Sequence, residues 1–399
     1  MRFGKNDAAT WMCITPLSEK SIKSGGVPVE FPDFKEYIKN KQKKINIAKE
    51  RNNMSNKEIT VGAVNWDCSL PDETFFGFYS AKSLSPEKFR SSTPYYATVE
   101  GSNKICYHYR SLEEYEREMQ YAIDAGIDYF AYCWYGENPK HREYKWQENL
   151  YALTYARKMH IKSSLKNRIK LCAIIGVGAK EEELSAEDMI KLAEEMKQDY
   201  YQKIDGRPLV YVFDGYKQET SKILSEVCDK RGTPKPYFVF MCSETSEIKV
   251  KKNGVESAVC EYAFPQSAKN YDEFISHLID DLKTRYKLGI NVIPQFSLGW
   301  NPSPRIENSV PWCNYEDKTY LPQITKEELL QGAEKFTEYL VENKEHNTTN
   351  QILIFAWNEF EEGGYICPTY DDNGKNINTD RVRALAHIVS EWKKKYNDV

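Results

Sequence analysis

Along most of the chain, short apolar runs alternate with stretches in which apolar and polar residues recur at helical spacing. Eight of the runs have the length and the branched and aromatic content of buried strands: 59–66 (ITVGAVNW), 129–135 (YFAYCWY), 169–177 (IKLCAIIGV), 208–214 (PLVYVFD), 237–243 (YFVFMCS), 256–264 (ESAVCEYAF), 291–297 (NVIPQFS) and 351–358 (QILIFAWN). Helical spacing falls between them, at 111–126, 145–160, 185–202, 216–230, 271–289 and 325–344, and again after the last strand at 380–396. Several of these segments open on a Ser, Thr or Asp cap, and some close near Gly.

Strands that are apolar almost throughout must be covered on both faces, and strands each followed by a helix supply that cover. Eight such units predict an α/β protein built as a closed (β/α)8 TIM barrel. The fifth helix, within 244–254 (ETSEIKVKKNG), is the weakest part of the pattern, and an open doubly wound sheet is the structural alternative. Residues 1–53 precede the first strand without a partner and turn basic toward their end (KNKQKKINIAKER). They are expected to form an extension on the barrel, partly mobile, with the barrel domain spanning 54–399.

Composition narrows the function. A chain of 399 residues with 41% hydrophobic content fills a large barrel. A net charge of −4 offers no broad positive field, so nucleic acid and anionic membranes are not expected partners, and no apolar run is long enough to span a bilayer. The 10 cysteines stand singly, several inside apolar runs, which predicts buried thiols and a reducing compartment. No secretory signal pattern opens the chain, so it reads as cytoplasmic; a protein whose leader had been removed, periplasmic or secreted, would read the same. The 28 Tyr and 8 Trp are a surplus that would suit a pocket with flat, amphipathic walls, with most of these rings expected in the core.

In such a barrel the loops at the strand C-termini converge on one mouth. That rule selects Trp66 and Asp67, the segment from Trp134 and Tyr135 to Glu137, Asp214, Glu244, Glu261 and Tyr262, Gln295, Trp300, and finally Trp357, Asn358, Glu359 and Glu362. The set is rich in carboxylates and rings. It holds no Ser-His-Asp pattern, no phosphate-cradling Gly loop and no cluster of metal ligands, so neither a cofactor nor a metal is expected. Paired carboxylates with aromatic platforms suit carbohydrate chemistry, where one acid protonates a leaving oxygen and the other acts as base or nucleophile.

If the chain turns helically after Asn358, Glu359 and Glu362 share a face and Glu361 points elsewhere. Two carboxylates that close raise at least one pKa, as a general acid at neutral pH requires. By spacing alone, the same acids equally suit the first turn of a helix, where the dipole favours them.

Resemblance separates the two. The block AWNEFEEGGYICP (356–368), continuing through DDNGKNINTDRVRALAHIV, resembles the terminal block of the WbsX-like family, and its N-E-x-x-E-G core resembles that of glycoside hydrolase family 99, the endo-α-mannosidases. Three more blocks match in order: MQYAIDAGIDYFAYCWYG the second βα unit, KIDGRPLVYVF the fourth strand, and GWNPSPR the Trp-x-x-x-Pro-Arg loop after the seventh. The resemblance implies a metal-independent, retaining glycoside hydrolase on a (β/α)8 barrel, in which the substrate's own 2-hydroxyl attacks the anomeric carbon. It implies Glu359 as the base on that hydroxyl and Glu362 as the acid on the leaving oxygen, which later activates water. Trp134 and Tyr135 would offer a stacking surface or pack within the barrel, and Arg305 with Trp300 would shape the rim, or Arg305 would form a structural salt bridge. On this assignment Glu361→Gln is expected to do little.

The chain also departs from its relatives. Asn301 and Pro302 stand where the WbsX-like loop carries Asp-Asn, the third strand ends in AIIGVGAKEEE instead of a Trp-Ala-Asn-Glu stretch, and Glu361 takes the place of the family 99 histidine. The sugar is therefore left open. A glycosyltransferase of polysaccharide biosynthesis and a non-catalytic carbohydrate-binding barrel are the alternatives. The first would need a nucleotide- or lipid-linked donor, and the second would leave the glutamates salt-bridged and remote from a cleft.

Overall fold

The structure is a computed structural model that describes residues 21–23, 25–26, 58–137, 145–176, 185–213, 218–241, 259–260, 268–287, 289, 291–315, 320–371 and 375–397. The chain divides into two compact units, Met1–Lys57 and Glu58–Val399. In the first, residues 21–23 are helical, and Gly25 and Gly26, at φ 79° and 85°, return their amides to the Ile22 and Ser21 carbonyls.

Among the described residues of the second unit, besides five further two-residue strands, a strand stands at the position of each of the eight apolar runs: β1 (Thr60–Asn65), β2 (Tyr129–Cys133), β3 (Lys170–Ile175), β4 (Arg207–Phe213), β5 (Tyr237–Met241), β6 (Val259–Cys260), β7 (Gln295–Ser297) and β8 (Gln351–Phe355). They pair in parallel in the order β7-β8-β1-β2-β3-β4-β5-β6. The order advances by one strand at every step, and the last strand pairs with the first, Thr60 opposite Gln351 and Ala63 opposite Ile354. A doubly wound sheet reverses its winding at a switch point; this one does not, and its order is that of a (β/α)8 barrel. The β6–β7 seam is not recorded among the described residues.

The helices are α1 (Phe75–Leu84), α2 (Leu112–Asp124), α3 (Tyr155–Lys162), α4 (Ala186–Glu195), α5 (Gln218–Arg231), α6 (Tyr271–Tyr286), α7 (Ser303–Glu307), α8 (Lys326–Glu342) and α9 (Asp380–Asn397). Capping explains several starts. Ser111 with Glu114, and Thr325 with Glu328, form reciprocal capping boxes at α2 and α8. Three differences from the sequence pattern have local causes. The segment 145–160 is one amphipathic stretch in sequence but splits into a 3-10 segment, Lys145–Thr154, followed by α3. The short α7 begins at a proline pair, with Pro302 as its cap. Helix α1 escaped the pattern because FFGFYSAKSL is apolar nearly all round and carries Gly77, so it shows neither amphipathic spacing nor high propensity. The segment 244–254 lies outside the described residues.

Inside the sheet, β1 passes so close to Tyr129 that a Cβ at Gly62 would overlap its ring. The Tyr129 hydroxyl meets that of Tyr211 at 2.8 Å. Seven cysteines are free thiols among the described residues. No helix is long and apolar enough to cross a membrane among those residues.

Candidate active site

After β8 the chain runs through Ala356, Trp357 and Asn358 to Glu359, makes a single 3-10 turn at Phe360–Glu362, and leaves it through Gly363 at φ 74°. Backbone bonds tie this segment down at both ends. The Trp357 amide donates to Val64 O of β1, and its carbonyl accepts from Ile366 and Cys367. The Asn301 amide donates to Glu362 O at 2.6 Å, and a Cβ on Gly363 would meet that same nitrogen at 2.9 Å, so only glycine permits the approach. The turn is thus wedged between β1 and the loop after β7.

All three glutamates of the turn are buried, and all three meet one cation. Arg305 of α7 donates from Nε to Glu361 Oε2 (2.7 Å), from Nη2 to Glu359 Oε2 (3.1 Å) and from Nη1 to Glu362 Oε1. Tyr315 donates its hydroxyl to Glu362 Oε1 at 2.6 Å and accepts from Arg305 Nη1 at 3.3 Å. The second oxygen of Glu361 accepts from Ser80 Oγ and the Cys68 thiol. The guanidinium lies 5.3 Å from the Trp66 ring and 5.9 Å from that of Trp312. Glu361 therefore does not point away from its neighbours. A 3-10 turn is tighter than the α-helix assumed from spacing, and the guanidinium fork reaches around it with three edges.

Burial pushes the Glu359 carboxyl well above the usual carboxylate range, and the Glu362 charge adds to this; Arg305 opposes it. Burial also raises Glu362, against the pull of Arg305 and the Tyr315 hydrogen bond. Three acids against one base leave the cluster with surplus negative charge, which a proton on Glu359 or Glu362 relieves.

Other expected residues take varied positions. Trp66 joins the cluster: its amide donates to Asn358 Oδ1 (2.9 Å), its indole N–H to the Tyr135 hydroxyl (3.0 Å), and Asn358 Nδ2 to Asn65 (3.1 Å). Trp300 packs beneath, 6.0 Å from the Tyr315 ring. Asp67 and Trp357 instead serve a second buried arginine. Arg110 pairs with Asp67 and Glu118, Tyr115 donates to Asp67 at 2.8 Å, and Trp357 donates its indole N–H to Glu118 at 2.6 Å. Trp134 is buried with the Arg157 guanidinium 5.0 Å from its ring. Its indole N–H, and both amide atoms of buried Gln295, have no hydrogen-bond partner among the described residues. Asp214, Glu244, Glu261 and Tyr262 lie outside the described residues.

Sequence reasoning missed Tyr315, Trp312, Ser80 and Cys68. The ring-rich PWCNY (311–315), shortly after the Pro-Arg motif, was the available signal for the first two; nothing local marks Ser80.

The family model described as Glycosyltransferase WbsX matches residues 171–379, just over half of the chain. A family 99 endo-α-mannosidase from Bacteroides thetaiotaomicron, solved with bis-tris propane, superposes with a TM-score of 0.50 at 14% identity, over 84% of this chain and 97% of that one. At that identity the likeness speaks to the fold. Two curated proteins match over 28 residues: a glycosyl hydrolase family 109 protein of Phocaeicola vulgatus (68% identical) and an α-N-acetylgalactosaminidase of Bacteroides fragilis (64%). The chain spans 7% of the length of each.

Proposed function

The chain belongs to the WbsX family, and from that premise we propose that it is a glycoside hydrolase that cleaves a poly- or oligosaccharide with Glu359 and Glu362. One observation carries the proposal: a buried trio of glutamates at the C-terminal end of β8, held by a single arginine, with burial raising the pair's proton affinity. Hydrolysis of a glycoside needs one carboxyl that is protonated at neutral pH and one that is not, a few ångströms apart. A site with three carboxylates and one guanidinium is suited to hold a proton on the pair, and the net negative field that is left stabilises the positive charge that develops at the anomeric carbon.

The proposed route follows the family resemblance. Glu359 takes the proton of the sugar's 2-hydroxyl as that oxygen attacks the anomeric carbon, and Glu362 gives its proton to the departing glycosidic oxygen. Water then opens the 1,2-anhydro ring, losing a proton to Glu362 while Glu359 returns its own to the 2-oxygen. Overall configuration is retained, and an α-mannoside is one candidate substrate. Arg305 and Tyr315 position the two carboxylates. Trp134, Gln295 and Trp300 are proposed to act around them, with Trp66, Tyr135 and Asn358 at the edge of the trio.

A transferase, as the family description words it, would hold a donor diphosphate. Among the described residues, Arg305 and Arg110 are already engaged by carboxylates, and Arg381 donates to the Gly363 and Tyr365 carbonyls. The surplus negative charge would repel a diphosphate, which favours hydrolysis. The test is incubation with a panel of bacterial and host polysaccharides, identifying released products by mass. Cleavage that Glu362→Gln abolishes supports the proposal; cleavage untouched by that change, or glycosyl transfer from a nucleotide sugar, removes it.

A further inference from the structure

Helix α1 carries an aromatic surface for which the proposed chemistry has no use. Thr74 caps it by accepting from the Gly77 amide at 3.1 Å, and Gly77 sits so tightly on the Leu70 and Pro71 carbonyls that no Cβ fits. The helix is thereby pinned on the loop after β1, with Phe76 and Leu84 buried and Ser80 on Glu361. Phe75, Phe78 and Tyr79 occupy its remaining faces. From the site outward the rings form a continuous series: Trp66 to Trp312 at 5.7 Å, Trp312 to Tyr79 at 6.1 Å, and Tyr79 to Phe78 at 5.1 Å. Exposure grows along it. Trp66 is buried, Trp312 and Tyr79 are half-buried, and Phe78 is 51% exposed. The Trp312 indole N–H is buried with no hydrogen-bond partner among the described residues.

A single exposed phenylalanine needs no explanation, but a ring series that begins against the Arg305 guanidinium and ends in solvent does. Lys82 is the only charged residue within α1, so the stripe lacks the charge to select a polyanion. Flat apolar faces bordered by the Tyr79 phenolic hydroxyl match the two aspects of a sugar ring, whose faces are C–H and whose rim is hydroxyl. We propose that this stripe is a binding track for a neutral glycan chain, on which sugar units beyond the scissile bond stack along Trp312, Tyr79 and Phe78. The proposal rests on the hydrolase reading for its orientation and extends it: the substrate continues several units past the bond that is cut.

Binding and cleavage are separable. Native gels cast with yeast α-mannan, dextran or arabinoxylan are run with Glu362→Gln protein, alone and combined with Phe78→Ala, Phe78→Trp or Ile223→Ala. Phe78 is largely in solvent, so alanine there leaves the core intact, and Ile223 is an exposed control on α5. At least one polysaccharide is expected to retard the parent. Phe78→Ala should weaken that affinity about tenfold, while Phe78→Trp and Ile223→Ala retain it. Equal retardation of all four proteins, or no retardation of the parent by any polysaccharide, overturns the track. So does a dimer that Phe78→Ala dissociates with retardation unchanged, which would assign the stripe to self-association. Mass analysis of products from wild-type protein on the same polysaccharides reports separately on hydrolysis. Cleavage without retardation sinks the track alone, and retardation without cleavage sinks the hydrolase reading alone.

Discussion

Two arginines are buried within a few residues of the same β1–β8 seam, and they are balanced differently. Arg110 is 2% exposed, pairs with two carboxylates, and lies over the rings of Tyr96 (4.0 Å) and Tyr115 (4.2 Å). Its acids are satisfied from further sides, Asp67 by Tyr115 and Glu118 by Trp357. Arg305 faces three carboxylates, one of them on a residue that keeps 7% of its surface in solvent. The first cluster is closed, with every group facing protein. The second carries one more negative charge than the first and keeps a side toward the exterior. A buried ion pair says little about function until its charges are counted against its partners. Arg110 reads as a structural node, Arg305 as the holder of a site.

The largest effect should separate the clusters outright. Glu359→Gln and Glu362→Gln are each expected to lower turnover by about 1,000-fold or more, while thermal melting shows a folded protein. The sign of the stability change follows from the raised folded-state pKa. Between the ordinary carboxylate range and the raised value the folded chain binds more protons than the unfolded one, so wild-type stability falls as pH rises through that window. The glutamine variants should therefore gain stability relative to wild type with rising pH, and melting curves at pH 5 and pH 8 that move in parallel would contradict the shift.

Arg110→Met should act on stability instead. It strands Asp67 and Glu118 in the interior, at a loss of about 3–5 kcal/mol, read from urea unfolding. A loss below ~1 kcal/mol would mean that the cluster is wetter than its burial indicates. Glu361→Gln comes next: it weakens the Nε anchor of Arg305 and the Ser80 bond, and turnover should fall about tenfold, more than spacing alone suggested. Wild-type turnover in that variant would leave Glu361 outside the site. The smallest effect is expected from Tyr315→Phe. It removes a bond that favours ionised Glu362, so the alkaline limb of the pH–rate profile should move up by roughly half to one pH unit; a downward movement would assign the tyrosine another role.

The barrel was legible because its information is local. Each apolar run is long enough to be recognised alone, and repetition of run and helix carries the topology. Helix α1 was hidden by the same logic, since a segment apolar on all sides has no period to detect. The glutamates were visible as a cluster, but their arrangement depended on a partner more than fifty residues earlier, and no spacing rule reports what a guanidinium fork can reach. Asp67 marks the opposite limit. Its position at a strand end suggested the mouth, and only the distant Arg110, at the head of another helix, reveals that it is paired.

The pairing of β8 with β1 also bears on how this protein is made. The acids sit on the final strand's extension, and their footing is Val64 and Trp66, which leave the ribosome almost three hundred residues sooner. During synthesis both edges that will receive β8, one on β1 and one on β7, wait unpaired as open templates for foreign strands. On the proposed assignment the nascent chain is inert toward sugar and most prone to aggregate over one interval, which closes when the last strand docks.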